Sequence, residues 1–191
     1  MSLEPGQLLD RIAIHDLMAR YASAVDRRDW ARVRDTFHPD AHDDHGEYKG
    51  GVDGFIAWVS RRHADVSHSM HFLGNCLIEF TSAEVALVET YFIAKQTIPQ
   101  AGGAGSAMLG DLKDGGRGTE AEIWGRYIDV AEKRKGEWRT AKRVVAFDVM
   151  HAGPVSSLPL KATWAQSSRD LSDPLHAMRD AARGRADEMR K

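Results

Sequence analysis

Four long segments rich in β-branched and aromatic residues, 68–80, 84–98, 120–133 and 137–151, dominate the second half of this 191-residue chain. Their joints constrain the fold. Lys135-Gly136 between the last two is a hairpin turn, and the Thr81-Ser82-Ala83 corner joins the first two. Parallel strands need a crossover of about a dozen residues or more, so joints this short dictate antiparallel pairing. What precedes these segments is helical, and helices followed by consecutive hairpins predict an α+β fold on an antiparallel sheet rather than a doubly wound one.

Residues 6–28 carry an apolar stripe of Leu8, Leu9, Ile12, Ala13, Leu17, Tyr21, Ala24 and Val25, with Asp26 as its last inward member. A second helix is expected from Asp29 to Phe37, stopped by His38-Pro39. The polar run AHDDHGEYKG reads as a short strand ending at Gly50-Gly51, and residues 53–64 as a third helix with Phe55, Trp58 and Val59 on one face. Residues 1–153 then form one domain. The Gly-rich stretch 101–118 is too long for an ordinary hairpin connection and reads as a flexible loop or a flap over a pocket. Residues 154–191 form an arm with a helix near 173–188, whose Leu158, Leu160 and Trp164 are expected to cover the pocket or a neighbouring subunit.

Charge and composition remove several function classes. A net charge of −2 offers no basic face for nucleic acid. One cysteine, Cys76, cannot form an internal disulfide. No apolar run approaches the ~20 residues that span a bilayer, and MSLEPGQLLD lacks the basic and apolar stretches of a signal peptide. A cytoplasmic protein without membrane or nucleic-acid partners is expected.

Two residues stand out chemically. An acid at the inner end of an apolar helix face, Asp26, is costly unless something hydrogen-bonds it. His71 opens a strand on which alternation groups Ser69, His71, Leu73 and Asn75, and turns His68 the other way. A buried carboxylate paired with a strand histidine fixes the imidazole tautomer and frees the second nitrogen as a base. The cluster His38, His42, Asp43, Asp44, His45 lacks metal-ligand spacing, with His42 and His45 on opposite faces, so no metal is expected. Tyr48 is placed to lean into a pocket. No Gly-x-Ser-x-Gly, nucleophile pair or GxGxxG turn is present, which disfavours acyl-enzyme, P-loop and dinucleotide chemistry.

The segments YASAVDRRDWARVRDTFHPDA, GEYKGGVDGFIAWV, SMHFLGNCLIEF and GRYIDVAEKRKGEWRTAKR, in that order over residues 10–150, resemble the SnoaL-like group of the NTF2-like superfamily. The closest echo is scytalone dehydratase and its relatives, among them bile-acid dehydratases and hexachlorocyclohexane dehydrochlorinase. The resemblance implies a cone in which a curved antiparallel sheet and N-terminal helices enclose a pocket. It also implies a catalytic dyad at Asp26 and His71, and a carbonyl-polarising tyrosine matching His45 or Tyr48. Val25 replaces a family tyrosine for which Tyr21 stands in one turn earlier. A second pocket histidine falls on Gln96, and a Ser/Asn pair falls near Gly125 and Tyr127.

The expected function is therefore a cofactor-independent lyase, dehydratase-like, acting on a hydroxylated aromatic or polycyclic small molecule. The expected catalytic residues are Asp26, His71, Tyr48, Tyr21 and His45, with Asn75, Gln96, Arg126, Tyr127, Phe55 and Trp164 contacting substrate. C–C cleavage or isomerisation would use the same base. The competing reading is a non-catalytic module of the same fold, such as a ring-hydroxylating dioxygenase small subunit or a small-molecule binder. The resemblance and the two apolar faces of the long strands imply a homo-oligomer, most simply a trimer.

Overall fold

The computed structural model describes residues 5–99 and 118–190, so all but the last residue of the Gly-rich stretch lies outside the described part. Helix α1 (Pro5–Asp26) turns at Arg27-Arg28 into α2 (Trp30–Asp35), which Asp29 caps by accepting from the Arg32 amide at 3.2 Å. β1 (Phe37–Asp44) and β2 (Lys49–Gly51) form a hairpin and lead into α3 (Val52–Arg62). The four long strands follow as β3 (His68–Phe80), β4 (Val85–Ile98), β5 (Thr119–Arg134) and β6 (Glu137–Pro154), and α4 (Pro174–Glu188) ends the chain. None of the described helices is long and apolar enough to cross a membrane.

The sheet runs in the order β2-β1-β6-β5-β4-β3. It is mixed rather than antiparallel, because β1 lies parallel to β6. That pairing joins the first strand to the last, and the intervening chain is long enough to supply the crossover that parallel neighbours require. The second helix also stops earlier than its sequence suggests. Phe37, His38 and Pro39 already belong to β1, where an edge position outside the hairpin tolerates a proline.

The phase of α1 differs from the sequence reading. Ile14, Leu17, Met18, Tyr21 and Val25 are buried against the sheet, whereas Leu8, Leu9 and Ile12 are exposed. One turn before Ile14 the inward position is held by Asp10, whose carboxylate accepts from Trp138 Nε1 at 2.8 Å and pairs with Lys133 at 2.7 Å. That polar anchor fixes the rotation of the helix and leaves the first apolar residues facing away.

Across the inner face of the sheet, register places Asp43 of β1 beside Arg143 of β6, and Arg143 beside Asp129 of β5. Arg143 is fully buried and donates to both Asp129 oxygens, from Nε at 2.7 Å and from Nη2 at 2.8 Å. Its guanidinium lies between the rings of Tyr21 and Tyr127, with centroid distances of 4.0 and 4.4 Å. Burial alone would favour a neutral guanidine, but the Asp129 carboxylate outweighs it and holds Arg143 firmly cationic. The pair therefore ties β5, β6 and α1 together through one charge. Gly125 makes room nearby. A Cβ there would stand 2.9 Å from Phe92, and its absence lets the Phe92 ring stack on Tyr127 at 4.3 Å.

Removing one partner of a buried ion pair strands the other charge. Arg143→Met should destabilise the fold by about 3–5 kcal/mol, and Asp129→Leu in the same chain should restore much of that loss. Urea unfolding of the single and double variants measures both effects.

Candidate active site

Asp26 ends α1 and His71 lies near the start of β3, so α1 packing against the sheet brings them together. One Asp26 oxygen accepts from His71 Nδ1 at 2.7 Å and from Ser69 Oγ at 2.9 Å, while the other accepts from the His71 amide at 2.9 Å. Burial would push this carboxyl up, but the bonds from His71 and Ser69 outweigh it and hold Asp26 below the ordinary carboxylate value. An ionised carboxylate only accepts, so His71 Nδ1 carries a hydrogen, and in the neutral ring Nε2 is the nitrogen with the free lone pair. The His71 ring is 7% exposed and forms part of a cavity wall. The expected hydrogen-bond contact between these two residues is present.

The main-chain side of Asp26 is held as closely as the side chain. Arg169, from the arm after β6, donates to the carbonyls of Asp26 at 2.9 Å, Val25 at 3.1 Å and Val66 at 2.7 Å. Val25 and Asp26 close α1, where the last carbonyls run out of amides four residues on, although Val25 also accepts from the Arg28 amide at 3.1 Å, and a cation at a helix C-terminus complements the dipole. A fourth bond runs from Arg169 Nη2 to His63 Nδ1 at 2.8 Å. The guanidinium can only donate, so His63 accepts there and is neutral, its proton on Nε2. Asp173, which caps α4, pairs with Arg27 at 3.1 Å and secures the arm a second time. Beyond these anchors the arm packs little. Leu158, Leu160 and Trp164 are exposed, α4 buries no residue, and no described arm residue borders the His71 cavity.

Two adjoining spaces lie in front of His71 and share part of their walls. The inner one, about 40 Å³, brings His71, Gln96, Tyr21, Tyr127, His45 and Arg62 to its wall among apolar side chains. The outer one, about 440 Å³, is lined by Trp58, Phe147, Val149 and Met150 with Glu47 and Asp148 at its rim. His45, Trp58, Arg62 and Phe147 border both and form the neck between them. The outer volume suits a small-molecule ligand, and the inner one a reacting group or a few waters.

His45 belongs to a second His–Asp pair. Its Nδ1 lies 2.5 Å from Oδ1 of Asp43, which is fully buried, and its ring stacks on Phe55 at 4.8 Å. Burial pushes the His45 imidazole below its ordinary value, and the adjacent Asp43 offsets this only in part. Strand alternation carried one residue past the end of β1 puts positions 43 and 45 on one face, a signal that the contrast of His42 with His45 passed over. Arg62 and His63, at the end of α3, were also missed, because arginines closing a helix ordinarily read as solvated charge.

Several expected site residues stand elsewhere. Tyr48 donates its hydroxyl to the Gly51 carbonyl at 2.6 Å, and that oxygen would be 2.2 Å from a Cβ on Gly54, so it is locked over the start of α3. Asn75 is exposed, because an irregularity in β3 between Leu73 and Cys76 shifts the alternation. Arg126 follows the opposite phase to Tyr127 and faces outward, paired with Glu89 at 2.8 Å and Asp148 at 3.3 Å. Phe55 is fully buried behind His45, and Trp164 is 54% exposed on the arm beside Lys161. Tyr21, His45, Gln96 and Tyr127 do meet at the cavity with His71.

An open, curved mixed sheet closed by α1 and α3 over a buried Asp–His pair is the α+β cone of the NTF2-like class. Residues 6–144 match the SnoaL-like domain, and the chain belongs to that family. Among solved structures it is similar to a candidate scytalone dehydratase from Novosphingobium aromaticivorans DSM 12444, at 17% identity and TM-score 0.64, over 81% of this chain and 98% of that one. Hexachlorocyclohexane dehydrochlorinase LinA-type3 from Novosphingobium barchaimii LL02 matches at 19% identity and TM-score 0.64, over 82% and 97%. A candidate aromatic ring hydroxylase from Novosphingobium aromaticivorans matches at 26% identity and TM-score 0.62, over 76% and 94%. No curated protein matches.

The buried histidines give acid sensitivity a definite sign. Burial, with Arg169 and Arg62 nearby, pushes His63 well below its ordinary 6.5, and His45 is displaced the same way. As pH falls through about 6.5 the unfolded chain takes up these protons first, so stability should drop below pH 7 and be flat above it. Urea midpoints between pH 8 and pH 5 test this, and His63→Asn should flatten the slope.

Proposed function

We propose that the chain is a cofactor-independent lyase in which His71, oriented by Asp26, removes a proton from carbon. Nε2 accepts the proton, the C–H electron pair forms the new double bond, and a hydroxide or halide on the neighbouring carbon leaves with its own pair. Asp26 stabilises the imidazolium that results. Tyr127 and Tyr21, whose hydroxyls burial keeps protonated, and His45 and Gln96 line the same space and are the groups within reach of substrate oxygens. The carrying observation is the Asp26–His71 contact at the wall of a small cavity adjoining a larger apolar vestibule. A purely structural module would fill that space or leave Asp26 in solvent.

The substrate in this reading is a hydroxylated aromatic or polycyclic molecule, its body in the outer space and its reacting carbon entering the inner one. The similarity to a dehydrochlorinase and a candidate dehydratase supports elimination over other uses of the base. A homotrimer is part of the same proposal. Phe72, Ile93 and Trp124 stand in register across the outer face of the sheet, and Phe72 is 65% exposed. Sedimentation at the mass of a single chain at micromolar concentration would contradict it.

With a substrate whose product gains conjugated absorbance, His71→Gln should lower kcat by ~10²–10⁴-fold with little change in KM. Asp26→Asn should be comparably damaging, and the double variant little worse than either, since the two act as one unit. Turnover by His71→Gln at the wild-type rate would rule the mechanism out.

A further inference from the structure

Among the described residues Arg62 is the one cation at the neck, and its surroundings do not explain it. It makes no hydrogen bond and no ion pair among the described residues, and its Nε is buried without a partner. Its guanidinium lies 5.7 Å from the centre of the Trp58 ring, a contact that orients the plane without satisfying the donors. A positive charge in the last turn of a helix gains from the dipole, but Arg61 has that gain from an exposed position. Drawing Arg62 into the cavity wall adds a desolvation cost that the fold does not repay.

No described carboxylate pairs with it. Asp43 holds His45 through Oδ1 while its buried Oδ2 has no partner, Asp148 is paired with Arg126, and Glu47, exposed at the rim, attracts Arg62 electrostatically but forms no ion pair with it. Burial lowers the guanidinium only to about 10, so it stays charged at neutral pH. The same neck presents Trp58 and Phe147 as flat apolar surfaces on the way to the larger space.

We propose that Arg62 is the anion-recognition residue of this cavity, and that the ligand class is a planar aromatic or polycyclic body bearing a carboxylate or phenolate. The anionic oxygens seat on the free guanidinium donors at the neck, and the rings lie along Trp58 and Phe147 in the outer space. His45, neutral and on the same neck, adds a polar contact. This deepens the lyase reading by naming the charge of its substrate, and it places the anion within the cavity that holds His71.

The test compares two probes of one shape, 1-naphthoate and 1-naphthamide, by titration calorimetry at neutral pH. A charge-assisted hydrogen bond is worth about ten- to a hundredfold in affinity, so the wild-type protein should prefer naphthoate by at least about tenfold. Arg62→Gln should bring the two probes within about twofold of each other, and Arg62→Lys should retain part of the preference because it keeps the charge and loses the fork. Unchanged thermal unfolding shows that both variants are folded. Equal binding of the two probes by the wild-type protein, no binding of naphthoate at millimolar concentration, or a preference that survives Arg62→Gln would overturn the assignment. In His71→Gln the ratio of naphthoate to naphthamide affinity should persist, whatever happens to either affinity alone. A failure of the elimination mechanism would therefore appear in turnover of the His71 variant and leave this preference standing, whereas failure of the preference would leave the His71 dependence untouched.

Discussion

A single buried guanidinium sets the geometry on which everything else rests. Arg143 has no solvent to satisfy it, so its position is dictated by Asp129 on the next strand and by the tyrosine faces on either side. Those tyrosines are also cavity walls. The charge that locks α1 onto the sheet therefore fixes the polar lining opposite His71, and the helix that carries Tyr21 also delivers Asp26. A hydrophobic contact of the same area would hold the layers together without specifying the rotation of either ring.

The dyad is built to be rigid on its acid side and free on its basic side. Three donors from β3 hold the Asp26 side chain, and Arg169 holds the carbonyl of the same residue. His71 keeps one nitrogen unengaged by any described residue and faces a space too small for more than a reacting group. The wider chamber outside supplies apolar surface, and the neck between the two concentrates the polar groups. Chemistry and recognition are thus divided between two volumes of different character.

Much of this was legible in the chain, and the failures have physical causes. Hairpin turns and helical spacing gave the long strands and the helices, and the parallel seam between β1 and β6 was hidden because no local signal records which distant strand an edge will join. The conjunction of Asp26 with His71 was readable from an acid closing an apolar stripe and from alternation around His71. Asn75 was lost to a strand irregularity that shifts the phase, and Arg126 to neighbouring Tyr127, since adjacent strand residues cannot share a face. Tyr48 satisfies a backbone carbonyl, which no spacing announces. Asp43 and His45 were visible as alternate positions at the end of a strand, whereas Arg62 carries no sequence mark that separates it from the exposed Arg61.

The parallel seam has a further consequence, for the order of folding. Asp43 and Arg143 lie about a hundred residues apart, and their strands become neighbours only when the whole chain between them has been gathered. The hairpins β3–β4 and β5–β6 close over far shorter distances, and local contacts form ahead of remote ones because loop closure costs entropy first. The wall that carries His45 is thus the last to be laid against the sheet, and a chain that has built its hairpins but not this seam already possesses His71 without an enclosed place for a ligand.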